Sequence, residues 1–182
     1  MMRVIVTPAS LPASALAALK DWLGITVTAD DASLGVLLRA SLDLCAEFTG
    51  MVPLSATIEE TLPLTGDWQV LASRPVLAIN SVLAIALDGS RHALGVIGYD
   101  SDIAADGTGR LRVYDNGLMT RFVVQFTAGL APDWDHLPEP LRHGIIRLAA
   151  HQYRTRETPG AEPLPPASVA ALWRPWRRLR LA

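Results

Sequence analysis

Residues 137–157 read LPEPLRHGIIRLAAHQYRTRE, and this stretch decides how the chain around it folds. Pro138 and Pro140 are typical of a helix start, because a residue in the first turn needs no N–H donor. Pro159 and Gly160 end the helix, since neither residue continues a helix well. The apolar positions recur at helical spacing and predict one buried face: Leu141, Ile145, Leu148, Ala149 and Gln152, with Ile146 and Tyr153 at its edge. We therefore predict a helix over about residues 138–157.

After a proline-rich spacer, residues 167–182 read ASVAALWRPWRRLRLA. This segment carries two tryptophans and four arginines but no acidic side chain. It is too short to bury its apolar residues in a core of its own, so they need another surface. That surface is either the chain's own helical bundle or a different polypeptide. We expect the second, with a docking tail over about residues 164–182 whose candidate residues are Val169, Leu172, Trp173, Pro175, Trp176, Arg177, Arg178 and Arg180.

Energetic magnitudes indicate which tail residues matter most. Ordering the backbone costs about 1–2 kcal/mol per residue, and an exposed Arg–carboxylate pair returns only about 0–1 kcal/mol. A buried tryptophan at an interface contributes about 2 kcal/mol or more. We therefore expect Trp173 and Trp176 to supply affinity, while the arginines set orientation and partner choice. The short length and Pro175 disfavour a membrane-surface role for the same segment.

Two further helices are predicted near the start of the chain, which together with their linker span about residues 12–50. The first runs from about Pro12 to Leu23 and is capped by Ser10. The second runs from about Asp31 to Thr49, with Asp30 or Asp31 as its N-cap and Gly50 as its C-cap glycine. Its buried face follows a period of 3.6 residues, at Leu34, Leu37, Leu38, Leu42, Cys45 and Phe48.

Between the helices, residues 57–127 read as short strands and turns. The turn signals are Asp88-Gly89, Asp106-Gly107 and Asn116-Gly117. Residues 3–8 read as an extended N-terminal arm. The strand candidates are Thr57–Leu64, Trp68–Leu71, Ser81–Leu87, Ala93–Ile97, Arg110–Val113 and Arg121–Phe126. Helices, then strands, then helices predict an α+β fold, in which an α-helical bundle carries an inserted antiparallel β-sheet and an extended C-terminal tail.

Length and composition bound the function classes. The 182 residues suggest one domain, residues 1–182, and half of them are hydrophobic, which suffices for a core. The net charge of −2 predicts no nucleic-acid partner for the protein as a whole. Cys45 is the single cysteine, so no intrachain disulfide forms, and its position predicts a small core residue. No signal peptide and no apolar run of membrane-spanning length is present, so we expect a soluble cytoplasmic protein.

The sequence offers little for catalysis or cofactor binding. It contains no Gly-rich phosphate loop and no Gly-x-Ser-x-Gly elbow, so we expect no enzyme and no cofactor. His143 and His151 are eight residues apart on a helix, too far for one metal ion, and we expect no metal site. We expect the paired acids to be caps, turn residues or strand-edge residues: Asp30 and Asp31, Glu59 and Glu60, Asp100 and Asp102, and Asp133 and Asp135.

Four basic residues share one stripe of the predicted helix: His143, Arg147, His151 and Arg154. The stripe is either an ordinary solvated face or a positive face toward channel DNA or a neighbouring subunit. No aromatic residues are interleaved for base stacking, and no base-reading motif is present. Non-specific phosphate contact is therefore the only form of DNA binding that the stripe permits.

Both ends of the sequence carry motifs that resemble one family. Near the C-terminus a Pro-initiated helix ends in Tyr-x-x-Arg-Glu, and a Leu-Pro-x-x-Val-x-x-Leu-x-x-Pro-aromatic-Arg pattern follows. Near the N-terminus Lys20-x-x-Leu23 and Asp30-Asp31 precede a helix that ends Glu47-Phe48-Thr49-Gly50. The chain resembles the head–tail connector (adaptor) proteins of long-tailed bacteriophages and gene transfer agents, on the C-terminal residues Tyr153, Arg156, Glu157, Leu164, Pro165, Val169, Leu172, Pro175, Trp176 and Arg177.

The resemblance implies a structural role in virion assembly. It implies a homo-oligomeric ring, a dodecamer, beneath the portal protein at the capsid vertex, which extends the DNA channel and links the capsid to the stopper or tail-completion protein. The tail would reach the portal, and DNA passing through the channel would be contacted non-specifically. Assembly would take place in the host bacterial cytoplasm, and the protein would end at the head–tail junction of a virion or gene transfer agent particle, without a membrane partner.

Two alternatives remain open from the sequence. One is a small α+β enzyme or ligand-binding protein, which requires titratable groups converging in a pocket. The other is a non-specific DNA-binding protein, which requires salt-dependent duplex binding through Arg147 and Arg154.

Overall fold

The structure is a computed structural model, and it describes residues 2–114, 119–156 and 165–177, apart from the side chain of Met2. The chain divides into two compact units. The helical unit comprises residues 10–54 and 131–182, and the sheet unit comprises residues 1–9 and 55–130. Helices and antiparallel sheets are both present, which confirms the predicted α+β class. The single domain over residues 1–182 stays a prediction.

The helical unit is built around α3, Glu139–Thr155, the helix predicted from residues 137–157. Three more helices pack against α3. They are α1 Ala13–Leu23, α2 Asp31–Thr49 and α4 Ala167–Trp173, and a 3₁₀ turn, Arg174–Trp176, follows α4. The apolar faces meet in a core whose buried side chains include Leu19, Leu34, Leu38, Cys45, Leu141, Ile145 and Leu148. Helical periodicity therefore identified α1, α2 and α3, although Leu37, Leu42 and Phe48 of the face predicted for α2 are only half-buried.

The ends of α1 and α2 agree with the sequence prediction except at the start of α1. α1 and α2 stop at Gly24 and Gly50, whose φ angles of 72° and 71° are left-handed and favour glycine. Neither Ser10 nor Asp30 caps a helix through its side chain. α1 begins after Pro12 instead, and the Asp30 carboxylate accepts a hydrogen bond from the Tyr153 hydroxyl at 2.6 Å. The predicted Ser10 cap was wrong, because Pro12 holds the N-cap position of α1. Asp30 is the N-cap residue of α2 as predicted, but its carboxylate binds α3 instead of the first turn of α2.

The sheet unit contains a five-stranded antiparallel sheet in the order β1-β2-β8-β4-β5. Its strands are β1 Met2–Thr7, β2 Ala56–Pro63, β4 Val76–Ala86, β5 Arg91–Ala93 and β8 Met119–Ala128. β8 is the central strand of this sheet, and its Phe122, Val124 and Phe126 are buried, as is Val123 on the opposite face. The N-terminal arm predicted from the sequence is the edge strand β1, because its backbone pairs with β2.

A second sheet has three strands in the order β3-β7-β6, which are β3 Gln69–Val70, β6 Tyr99–Ile103 and β7 Gly109–Val113. The sequence did not predict β6, whose Asp-Ser-Asp centre lacks the apolar alternation of a strand. Asp100 and Asp102 instead bind Arg112 and Arg110 of β7 across the sheet. The predicted strand Ala93–Ile97 was also wrong, since β5 ends at Ala93 and an exposed loop follows.

Two of the three predicted turns lie within the described residues, and both are confirmed. Gly89 joins β4 to β5 with φ 86°, and Gly107 joins β6 to β7 with φ 75°. Any side chain at residue 107 would collide with Pro75, whose Cβ would lie 2.4 Å from the added Cβ. The third turn, Asn116-Gly117, lies outside the described residues.

Glu60 is a buried carboxylate, in contrast to the predicted edge position. Its side chain is 0% exposed and accepts hydrogen bonds from the backbone N–H groups of Ala72 and Ser73, both at 2.8 Å. A buried charge is tolerated only when hydrogen bonds replace its lost hydration. Glu60 therefore ties the segment that precedes β4 to β2.

Candidate functional site

The C-terminal helix α4 is part of the helical unit rather than a detached tail. Val169 and Trp173 are 1% and 0% exposed. The expectation that the tail cannot bury its own apolar side chains is therefore wrong for these two residues. Trp173 is a core residue here, and in this arrangement neither it nor Val169 can also anchor a different polypeptide.

The Trp173 ring packs on α3 directly against the backbone of Gly144. A Cβ atom on residue 144 would lie 2.2 Å from the indole Nε1 of Trp173, so only glycine admits the ring. The indole N–H donates to the carbonyl of Leu141 at 3.4 Å, and the Phe48 ring lies 5.9 Å away, centroid to centroid. Gly144 was the available signal in the sequence, because a glycine inside an amphipathic helix costs stability unless something packs against its backbone.

The rest of the described tail stays partly or fully accessible. Leu172 and Trp176 are half-buried, and Arg174, Pro175 and Arg177 are exposed. The Arg177 guanidinium lies 5.3 Å from the Phe48 ring centre, a cation–π contact between the tail and α2. We call these five residues the tail surface. Arg178 and Arg180, also predicted to dock, lie outside the described residues.

The Tyr-x-x-Arg motif forms a clasp at the end of α3. The Tyr153 hydroxyl reaches Asp30 at the start of α2, and the Arg156 guanidinium stacks 4.0 Å from the Tyr153 ring centre. Asp31, the next residue, binds Lys20 of α1 at 2.7 Å. Four residues of the motifs that resemble the connector family therefore join α1, α2 and α3, namely Lys20, Asp30, Asp31 and Tyr153. Glu157, the last residue of the motif, lies outside the described residues.

The predicted basic stripe on α3 is only partly open. His143, Arg147 and His151 are half-buried, and Arg154 is exposed. The His143 ring packs edge-on against Trp22 of α1, with centroids 5.1 Å apart. His143 therefore contributes to helix packing, and a role for the stripe in channel or subunit contact stays a prediction.

The small sheet carries an aromatic and charged face that the sequence did not reveal. The Trp68 ring lies 5.1 Å from the guanidinium of Arg110 and 5.3 Å from that of Arg112. Asp100 accepts hydrogen bonds from Tyr114 at 2.5 Å and from Arg112 at 2.6 Å, and both bonds lower its pKa. The hydrogen bonds of Arg112 with Asp100 and with Tyr114 raise the pKa of Arg112. Spacing alone could not bring these residues together, because the pairing of β6 with β7 places them opposite one another.

One polar cluster contains serine, histidine and aspartate, the residue types of a catalytic triad, but they are hydrogen-bonded in a different order. The Ser90 hydroxyl donates to Asp88 at 2.6 Å and contacts His92 Nε2 at 2.8 Å. In a catalytic triad the histidine bridges serine and carboxylate, whereas here serine occupies the middle. These residues lie on the exposed β4–β5 hairpin, and the arrangement is that of a turn.

The other side chains that could take part in catalysis or metal binding have structural explanations. Cys45 is fully buried, and burial raises the pKa of its thiol to about 12, so little reactive thiolate forms. His136 Nδ1 lies 2.7 Å from Asp133, which raises the pKa of the histidine. Among the described residues, no three His, Cys, Asp or Glu side chains are grouped to hold a metal ion. Within the same residues, no helix has the length and apolar character of a membrane span.

Comparison with known proteins gives matches only at the level of structure. No protein-family model matches the sequence, and no curated protein matches it. A chain in the neck of an empty gene transfer agent particle, computed with sixfold symmetry, is 26% identical with a TM-score of 0.78. Chains in the virion of a native gene transfer agent particle, and in its neck computed with twelvefold symmetry, are each 28% identical with a TM-score of 0.74. Each comparison covers 100% of this chain and 98% of the other.

The structural matches extend over both units and include the Tyr153 clasp and the α4 segment that carry the sequence motifs. Motif order and whole-length structural likeness thus agree with each other. The likeness of the whole chain to chains of gene transfer agent necks and virions is consistent with the head–tail connector family that the sequence resembles.

Proposed function

We propose that this protein is a non-enzymatic adaptor of the particle neck, which forms a ring beneath the portal and links the capsid to the tail. The observation that carries the proposal is the likeness of the entire chain to chains in gene transfer agent necks, at 26–28% identity. Two of those necks were computed with sixfold and twelvefold symmetry, which supports a ring of identical copies. Such a ring would surround the channel through which DNA passes.

The tail surface is the proposed contact with the portal. Its apolar part, Leu172 and Trp176, is half-buried and would lose further water-exposed area on docking. Arg174 and Arg177 flank it, as arginines commonly do at interface hot spots. The burial of Trp173 holds this surface in one orientation, which lowers the entropy cost of binding.

The other partners follow from the position of an adaptor in the neck. The opposite side of the ring would meet the stopper or tail-completion protein. Arg147 and Arg154 would face either channel DNA or the neighbouring copy, and contact with DNA would be non-specific. The protein would assemble in the bacterial cytoplasm and remain at the head–tail junction of the finished particle.

Replacing Trp176 by alanine tests the portal contact. We expect the affinity for purified portal protein to fall about thirtyfold, because an interface tryptophan contributes about 2 kcal/mol or more. The thermal unfolding midpoint should stay unchanged, because this side chain lies outside the core. Sedimentation of the protein with portal particles, over a series of concentrations, measures the affinity.

Trp68→Ala is the matched control, since Trp68 is 41% exposed and lies in the sheet unit. Its portal affinity should equal that of the wild type. Wild-type affinity for Trp176→Ala would contradict a docking role for this residue. Deleting residues 168–182 is a poorer test, because the deletion also removes Val169 and Trp173 from the core.

A further inference from the structure

The five-stranded sheet has two edges that no strand covers within the described residues. On one side β1 pairs only with β2. On the other side β5 pairs only with residues 83–85 of β4. Residues 77–81 of β4 therefore lie beside β8 on one side and pair with no described strand on the other side. The two edges are similar in length, and each has backbone N–H and C=O groups that no described strand pairs, although β6 lies close to part of β4.

Both edges expose apolar side chains and lack charge, although each contains a β-bulge, between Ile5 and Thr7 in β1 and within residues 76–81 of β4. Val4, Ile5 and Val6 are 47%, 42% and 46% exposed, and Leu77 is 55% exposed. Natural edge strands are commonly guarded by lysine, proline or inward-pointing charge. Residues 4–6 and 77–81 contain neither charge nor proline. An exposed edge strand with apolar side chains and no charge favours the addition of a further strand.

The symmetry of a ring indicates which strand is added. In a cyclic ring of identical copies, one surface of each copy meets a different surface of the next copy. The two edges of this sheet are two such different surfaces on one unit. We propose that β1 of one copy pairs with residues 77–81 of β4 in the next copy, so that the sheets join neighbours around the ring. This inference rests on the proposed adaptor function.

Cross-linking between two introduced cysteines tests the pairing. We would combine Val6→Cys with Leu77→Cys and add a short bis-maleimide reagent, which tolerates an unknown strand register. The reagent would be applied to the free protein and to the protein assembled on the portal. We expect a ladder of covalent oligomers on denaturing gels in the assembled state. Cys45 should not react, because it is fully buried and its pKa is about 12.

Three controls make the outcome specific. Each single cysteine variant should yield no species larger than a dimer. Val6→Cys combined with Val36→Cys, whose position on α2 is 60% exposed, should yield no ladder. A ladder of equal strength from this control pair would mean random collision and would overturn the pairing.

Electron microscopy of the same samples separates the two proposals. A ring without the Val6–Leu77 ladder would overturn the strand pairing and leave the adaptor function standing. If neither sample contains a ring, the adaptor function fails and the pairing fails with it.

Discussion

Gly144 shows how one residue determines the arrangement of a whole segment. The helix α3 gives up helix propensity at this position, about 1 kcal/mol relative to alanine, and the bare backbone admits the Trp173 ring. In return the largest side chain of α4 is fully buried. A single glycine therefore decides that α4 packs on α3 within the same chain.

Replacing Gly144 by alanine should destabilise the helical unit. The added methyl group collides with the indole, and overpacking of this kind costs about 1–3 kcal/mol, more than the gain of about 1 kcal/mol in helix propensity. We expect a net loss of up to about 2 kcal/mol in the free energy of unfolding, measured by urea denaturation.

Gly35→Ala on α2 is the matched control for that variant. A Cβ atom there meets only the end of Arg39, at 3.8 Å, an ordinary contact. This substitution should leave stability unchanged or raise it by up to about 1 kcal/mol. Equal effects of the two substitutions would contradict the seating of Trp173 on Gly144.

At the scale of elements, α4 has an inner side that belongs to the fold and an outer side that is accessible. Trp173 lies on the inner side and Trp176 follows in the 3₁₀ turn, half-buried. The division accounts for how a segment with two tryptophans can both stabilise its own unit and keep residues available for a partner.

Substituting the two tryptophans separately should distinguish these roles. Trp173→Ala leaves a large cavity and should cost about 3–5 kcal/mol of stability, whereas Trp176→Ala should cost less than about 1 kcal/mol. Thermal and urea unfolding of both variants measures the difference. Similar losses would mean that the tail forms one continuous core element, without an outer docking side.

The sequence predicted the elements whose signals are local. Helical periodicity located α2 and α3, and two Asp-Gly turns located the β4–β5 and β6–β7 connections. It did not reveal β6, because that strand lacks a buried apolar face and is placed by backbone pairing with β7. It also misplaced Trp173, because its burial depends on Gly144, which lies on a different helix. Local sequence patterns do not show contacts between residues that are far apart in the chain.

At the scale of the whole molecule, the chain consists of a helical unit that carries the tail surface and a sheet unit that carries two free edges. The first suits attachment to a different protein, and the second suits attachment to further copies. The two kinds of contact use different residues, so they can be disrupted separately. Loss of the tail surface should abolish portal attachment, whereas loss of the sheet edges should abolish the ring.

The most direct test is to image purified portal particles mixed with the wild-type protein by electron cryo-microscopy, and to measure the mass of the protein with and without the portal. We predict a closed ring of copies of this chain stacked coaxially on the portal. A protein that stays monomeric in both conditions, with portal particles that carry no added density, would contradict the account.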